Sequence, residues 1–137
     1  MAAEPSFNER IIEEFRANAG VVGAPFEGRP LLLLHHVGAR SGTERVNPVA
    51  YQSVGNAYAI FGSNNGRDTN PAWHHNLLAH PEVTIEVGVS TIPVTVREAQ
   101  GPERDAIWER QKAERPAFAE YETKTSRRIP VLILEPR

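Results

Sequence analysis

The chain is expected to fold as an α+β, mainly β protein: a small closed or half-open barrel of about six mostly antiparallel strands, with a helix in front and helices inserted. Three observations lead there. Short runs of β-forming residues are punctuated by glycine-containing turns, helical spacing is confined to four segments, and 137 residues leave room for one core and no second.

Taken in order, Ser6 with Glu9 three residues later is a capping-box pattern, and Phe7, Ile11, Ile12 and Phe15 recur at helical spacing until Gly20. The first element is therefore an amphipathic helix of about three turns. Glu13 and Glu14 on its polar face favour packing against the domain over lying on a membrane. Leu31–Val37, Arg45–Ser53 and Ala57–Gly62 read as strands, the last two joined by a hairpin at Val54-Gly55-Asn56. Asn70 is expected to cap a helix that begins with Pro71 and ends near Ala79, before Pro81. Glu82–Val87 and Thr91–Glu98 alternate apolar and polar residues around Gly88 and Ser90, a second hairpin. Pro102–Ala113 is a helix with Ile107 and Trp108 inward, Ala117–Thr123 adds a turn or two carrying Phe118 and Tyr121, and Pro130–Leu134 is the last strand. Residues 1–27 are then helix and linker, and 28–137 the barrel domain.

Composition excludes several classes. A net charge of −2 gives no global attraction for nucleic acid. The absence of cysteine removes disulfides, thiol catalysis, thiolate metal sites and iron–sulfur clusters. No apolar run is long enough to span a bilayer, and no secretion signal is visible, so a soluble cytoplasmic domain is expected.

Two segments carry chemistry. Gly38 and Gly42 bracket a turn with Arg40 and Ser41 at its tip, and Arg45 opens the next strand; converging N–H groups and guanidinium forks suit a phosphate. The alternative is a plain hairpin tip with solvated arginines. Asn47-Pro48 within a strand implies a bulge or an unpaired edge, since proline donates no ladder hydrogen bond. The loop Gly62-Ser63-Asn64-Asn65-Gly66 leads to Asn70-Pro71-Ala72-Trp73, where Trp73 would flank a planar ring and Asn76 would hydrogen-bond it. Core packing of Trp73 and local capping by Asn76 are the competing roles. Of the histidines, His35 and His36 point to opposite faces of a strand and His74 and His75 lie about 100° apart on a helix, so no metal site is expected. His74 or His75 is better suited to line a pocket. Phe118 and Tyr121 share a helical face, and Lys124, Arg127 and Arg128 follow as a possible dock for an anionic tail.

The ordered set of Leu31–Leu34, Gly38–Gly42, Arg45–Pro48, Ser63–Gly66, Asn70–Trp73, Asn76–Pro81, and Tyr121 with Thr125–Pro130 resembles the deazaflavin-dependent nitroreductase family of actinobacterial oxidoreductases, which use coenzyme F-420. The match covers about Gly28 to Pro136. The resemblance implies a split β-barrel like that of flavin reductases and FMN-binding proteins, often dimeric. It implies that the 8-hydroxy-5-deazaflavin delivers hydride from C5 to an electron-poor acceptor such as a quinone, nitro compound or activated alkene. It places the phosphate and oligoglutamate arm on Arg40, Ser41 and Arg45 and the ring along Phe61, Gly62, Ser63, Asn64, Ala72, Trp73, His74, His75 and Asn76, with Ala39, Val46, Asn47, Pro48, Val49 and Ala50 also in contact with the cofactor. Phe118 and Tyr121 would meet the substrate, Tyr121 as orienting group or proton donor.

Three departures stand out: Ala39 replaces a frequent arginine, Asn64 a frequent lysine, and Ala50, Arg115 and Phe118 three of the tyrosines of nitroimidazole-activating members. Nitroimidazole activation is accordingly not expected. The alternatives are an FMN-binding oxidoreductase of the same fold and a non-catalytic cofactor-binding or storage protein. The expected partners are a small-molecule acceptor and a second copy of the chain. The expected location is the cytoplasm, with a peripheral place on the inner face of the cell membrane through the N-terminal helix as the less favoured option.

Overall fold

The computed structural model describes residues 6–23 and 30–137, the side chain of Asn65 excepted. The expected boundary between residues 27 and 28 lies outside the described residues. The elements are α1 (Phe7–Ala17), β1 (Leu31–Val37), β2 (Glu44–Val54), β3 (Ala57–Phe61), α2 (Ala72–Ala79), β4 (Glu82–Val87), β5 (Ser90–Glu98), α3 (Gly101–Glu114), α4 (Pro116–Lys124) and β6 (Val131–Pro136), with a 3₁₀ turn at Asn64–Gly66.

The six strands close into an antiparallel barrel in the order β1-β2-β3-β6-β5-β4. Both faces of β1, β3 and β6 are covered. Leu32, Leu34, Ile60, Leu132 and Leu134 point into the barrel with Ile85, Val94 and Val96. Their neighbours point out: Leu31 and Leu33 under Ile11, Phe15 and Val22, and Ala59, Phe61, Val131 and Ile133 under Ile107 and Trp108. Leu31–Leu34 is an unbroken apolar run, because the barrel interior covers one face and α1 the other. Burying these side chains stabilises the barrel by about 1.5–3 kcal/mol each before conformational entropy is counted.

The α1 cap follows the expected pattern, Ser6 Oγ accepting from Glu9 N at 3.1 Å. Arg16 ties the helix to β4 through Glu86 at 2.6 Å. The start of α2 differs from expectation. The helix begins at Ala72, Pro71 occupies the N-cap position, and no side chain caps it. Asn70 is drawn away because its Oδ1 accepts from Arg127 at 2.7 Å.

The Pro48 expectation resolves to an edge. There is no bulge: β2 pairs with β1 in continuous register, Pro48 opposite Leu33. Tyr51 N donates to Pro30 O, so odd-numbered residues of β2 turn their amides toward β1 and the Pro48 nitrogen faces away. β3 pairs only with Tyr51–Val54, so among the described residues that side of Glu44–Ala50 has no strand partner. Here the barrel wall is split, and the proline stands where a missing N–H leaves no ladder bond unmade.

Candidate functional site

The split opens into a cavity of about 340 Å³. One wall is β2 at Pro48, Val49, Ala50 and Tyr51; the facing wall is Phe61, Ser63, Asn64, Pro71 and Trp73. The outer end is closed by Gln111 and Arg115 of α3 and its C-cap, by Phe118 and Tyr121 of α4, and by Asn8 of α1. Phe118 packs edge-on against Phe61 and Tyr121, with ring centroids 5.6 and 5.3 Å apart, so the aromatic end is one assembly. Asn64 adopts φ +47, a left-handed conformation uncommon outside glycine, in the loop on the cavity wall. Beside it Gly66 (φ +79) lets the loop lie against α4, where a Cβ would sit about 3.0 Å from Lys124 Cβ.

The turn after β1 is built by its own backbone. Gly42 N donates to Gly38 O at 3.0 Å and Gly38 N to Thr43 O at 2.9 Å, with Gly42 at φ +70. Ser41 Oγ accepts from Thr43 N. Arg40 and Arg45 are exposed and form no ion pair with another described residue. Arg45 lies three residues from Pro48 along the unpaired edge, about 10 Å at strand rise. A ligand in the cavity can therefore extend along that edge to the Arg45 guanidinium and, on the adjoining turn, to that of Arg40.

A buried chain of hydrogen bonds locks the turn to α2. Asn76 Oδ1 accepts from Ala39 N at 2.9 Å, which turns Asn76 Nδ2 toward His36 Nδ1, 3.0 Å away. A backbone N–H can only donate, so the Asn76 oxygen must face it and its nitrogen must face His36. His36 Nδ1 is then the acceptor, and Nε2–H donates to Asn47 Oδ1 at 2.6 Å. His36 is 2% exposed, and burial pushes its pKa below the usual histidine value, consistent with this neutral tautomer. Trp73 lines the cavity and Asn76, one helical turn on, clamps the turn. α2 thereby couples the ring-sized slot to the arginines.

The structure brings Pro48, Val49, Ala50, Phe61, Ser63, Asn64, Trp73, Phe118 and Tyr121 of the expected residues to the cavity wall. Ala39, Arg40, Ser41 and Arg45 are on or beside the turn, with Val46 and Asn47 between it and the cavity. Gly62 and Ala72 adjoin the wall without lining it, and Asn76 acts through Ala39 and His36. His74 lies elsewhere: it is buried, its Nε2 faces Glu98 at 3.4 Å, and it lines a second cavity with Arg104 and Arg128, while His75 is exposed. Among the described residues no group of three metal-ligating side chains converges.

Of the basic tail, Arg127 is not available as a dock. Arg127 is spent inside the protein, donating to Gly62 O (3.0 Å), Ser63 O (2.9 Å), Arg67 O (2.9 Å) and Asn70 Oδ1 (2.7 Å). It staples the loop at residues 62–67 to the start of α2. Lys124 Nζ sits 5.9 Å from the Tyr121 ring, and Arg128 is exposed beside Asp105.

Sequence reasoning missed His36, Gln52 and Gln111. A signal existed for Gln111: it continues the Arg104, Ile107, Trp108 stripe on the buried face of α3, where a polar residue needs a partner.

An antiparallel split barrel with an apolar, aromatic cavity near an arginine-bearing turn is suited to a cofactor-binding protein. The comparisons specify it. Residues 9–136 match the family model F420H(2)-dependent quinone reductase, and the chain belongs to this family. It is 36% identical over 129 residues to the F420H(2)-dependent quinone reductase Rv1261c of Mycobacterium tuberculosis, covering 90% of this chain and 85% of that one. Among solved structures, an F420-H2 dependent reductase (FDR-A) superposes with a TM-score of 0.71 at 38% identity, covering 78% of this chain and 95% of that one. A chain described as a domain-swapped dimer gives 0.73 at 36% identity, covering 90% and 91%. The haem storage protein HutZ of Vibrio cholerae, at 14% identity and a TM-score of 0.60 over 94% of this chain and 89% of that one, shares the fold alone.

Proposed function

We propose that this chain is a deazaflavin-dependent reductase that uses reduced coenzyme F-420 to reduce quinones. The carrying observation is an apolar, aromatic cavity whose β2 wall continues, toward the start of that strand, to the exposed Arg45, with the exposed Arg40 on the adjoining turn. The donor set fits the coenzyme. Pro48–Tyr51 and Trp73 offer flat apolar walls for a tricyclic ring, and Arg40, Ser41 and Arg45 offer charge-assisted bonds for a phosphate-bearing arm.

When bound, the coenzyme supplies a hydride; the protein supplies position and a dry site. Trp73 and the β2 edge hold the ring plane. Phe61, Phe118 and Tyr121 cover the acceptor side and exclude water. The Tyr121 hydroxyl orients the acceptor or returns a proton to its oxygen. No residue need act as a nucleophile. We further infer a homodimer acting in the cytoplasm; among the described residues no helix is long and apolar enough to cross a membrane.

Anaerobic mixing of the protein with reduced coenzyme F-420 and menadione tests the reading. Return of the oxidised deazaflavin's visible absorption, dependent on both protein and quinone, is expected; no protein-dependent oxidation with any quinone overturns it.

A further inference from the structure

Gln52 sits on the outer face of β2, 5% exposed, beneath α3. Its Nε2 donates to Ile107 O at 3.1 Å and to Gln111 Oε1 at 3.2 Å. This pair of bonds settles an orientation that amide side chains usually leave open. The Ile107 carbonyl can only accept, so the Gln52 atom facing it is nitrogen. The second hydrogen of that nitrogen points at Gln111, whose facing atom must be oxygen. The Gln111 nitrogen is thereby turned away from Gln52. Gln111 is 4% exposed and lines the main cavity, and its Nε2 has no hydrogen-bond partner among the described residues. That nitrogen keeps access to solvent, and the cavity is the opening that Gln111 borders.

An N–H donor held by a buried relay, at the aromatic end of a cavity, is suited to a carbonyl oxygen. We propose that Gln111 is the acceptor-recognition residue, its amide N–H donating to the oxygen of a quinone held against the paired rings of Phe118 and Tyr121. This rests on the cavity being the hydride-transfer site. The quinone gains a hydride and one solvent proton to become the hydroquinone, while the reduced coenzyme is oxidised by two electrons. Negative charge develops on the quinone oxygen as hydride arrives, and a donor aimed there stabilises it more than it stabilises the neutral quinone. Gln52 touches no ligand; it is a positioning residue that fixes which end of Gln111 faces inward. The acceptor class follows: carbonyl compounds over acceptors without a hydrogen-bonding oxygen.

Gln111→Glu keeps an oxygen for Gln52 and removes the donor, and Gln111→Met removes both. Each is compared with wild type for kcat/KM toward menadione and toward a phenazinium dye, which takes hydride without a carbonyl. Coenzyme binding, thermal midpoint and menadione quenching of tryptophan fluorescence in cofactor-free protein complete the set. The expected result is a loss of about tenfold to a hundredfold toward menadione. Dye turnover and coenzyme affinity fall at least several-fold less than menadione turnover in Gln111→Glu, and menadione binding to cofactor-free protein weakens. Equal losses for both acceptors with weakened coenzyme binding assign Gln111 to the cofactor and overturn the inference, as does unchanged menadione turnover. A fall in thermal midpoint with menadione binding intact reduces Gln111 to a packing role. Failure of wild type to oxidise the coenzyme with any quinone would sink the proposed function instead, and the quenching titration would still report on Gln111.

Discussion

Arg127 gives the sharpest test of how the site is held. Replacing it with methionine keeps most of the side-chain volume and removes four hydrogen bonds, to Gly62 O, Ser63 O, Arg67 O and Asn70 Oδ1. A bond from a charged donor contributes about 1.5–3 kcal/mol when lost singly. Four on one half-buried guanidinium do not add, because freed carbonyls near the surface regain water. The expected total is about 2–4 kcal/mol. For a chain of 137 residues, that corresponds to a fall in thermal midpoint of roughly 7–14 °C. Because Arg127 pins the Ser63 loop against the start of α2, coenzyme affinity falls with stability. Arg127→Lys recovers only part of either quantity, since a single ammonium cannot span acceptors on three segments. Urea melts and a coenzyme titration on the three proteins decide it. A lysine variant equal to wild type, or a methionine variant within 1 kcal/mol of it, would refute the stapling role.

The remaining predictions concern the arm, the acceptor and pH. Arg45→Ala weakens coenzyme binding by about tenfold to a hundredfold, the equivalent of about 1.5–3 kcal/mol for a charge-assisted bond to phosphate, whereas Arg10→Ala on the exposed face of α1 leaves it unchanged; titration of both variants checks this. Arg104 would be a poor control, being buried and donating to Ile129 O at 2.7 Å. Tyr121→Phe lowers kcat toward quinones with coenzyme affinity intact, measured by steady-state kinetics beside binding. His36 has a folded pKa below its unfolded one, so the unfolded chain takes up a proton first as pH falls. Its contribution is complete above about pH 6.5 and is lost as pH drops from there toward the folded pKa, at up to about 1.4 kcal/mol per pH unit. Protonation at Nδ1 also sets a proton against Asn76 Nδ2, so coenzyme affinity falls over the same range. His36→Gln is expected to flatten both profiles, read by urea melts and titrations between neutral and mildly acidic pH.

Much of the fold was legible because local signals agreed with it. The Ser6 cap, the hairpins at Gly55-Asn56 and Gly88-Val89, and Pro48 on an unpaired edge each follow from one residue's backbone preference. The continuous Leu31–Leu34 run announced a strand covered on both faces. The cavity wall was legible mainly through the ordered motifs of the family. What stayed hidden depends on long-range partners. Asn70 is an ordinary cap residue by sequence, yet Arg127, 57 positions later, takes its oxygen. Arg127 reads as a solvated tail residue until its acceptors come together. The Gln52–Gln111 relay joins residues 59 apart, and the His36–Asn76 link residues 40 apart; no periodicity records either.

The most direct test of the central claim is a fluorescence titration of the purified protein with oxidised coenzyme F-420 and, separately, with FMN, repeated on Arg45→Ala. Saturable binding of the deazaflavin in preference to FMN, weakened about tenfold or more by the substitution, is the predicted result. Binding of FMN alone, or deazaflavin binding indifferent to Arg45, would contradict it.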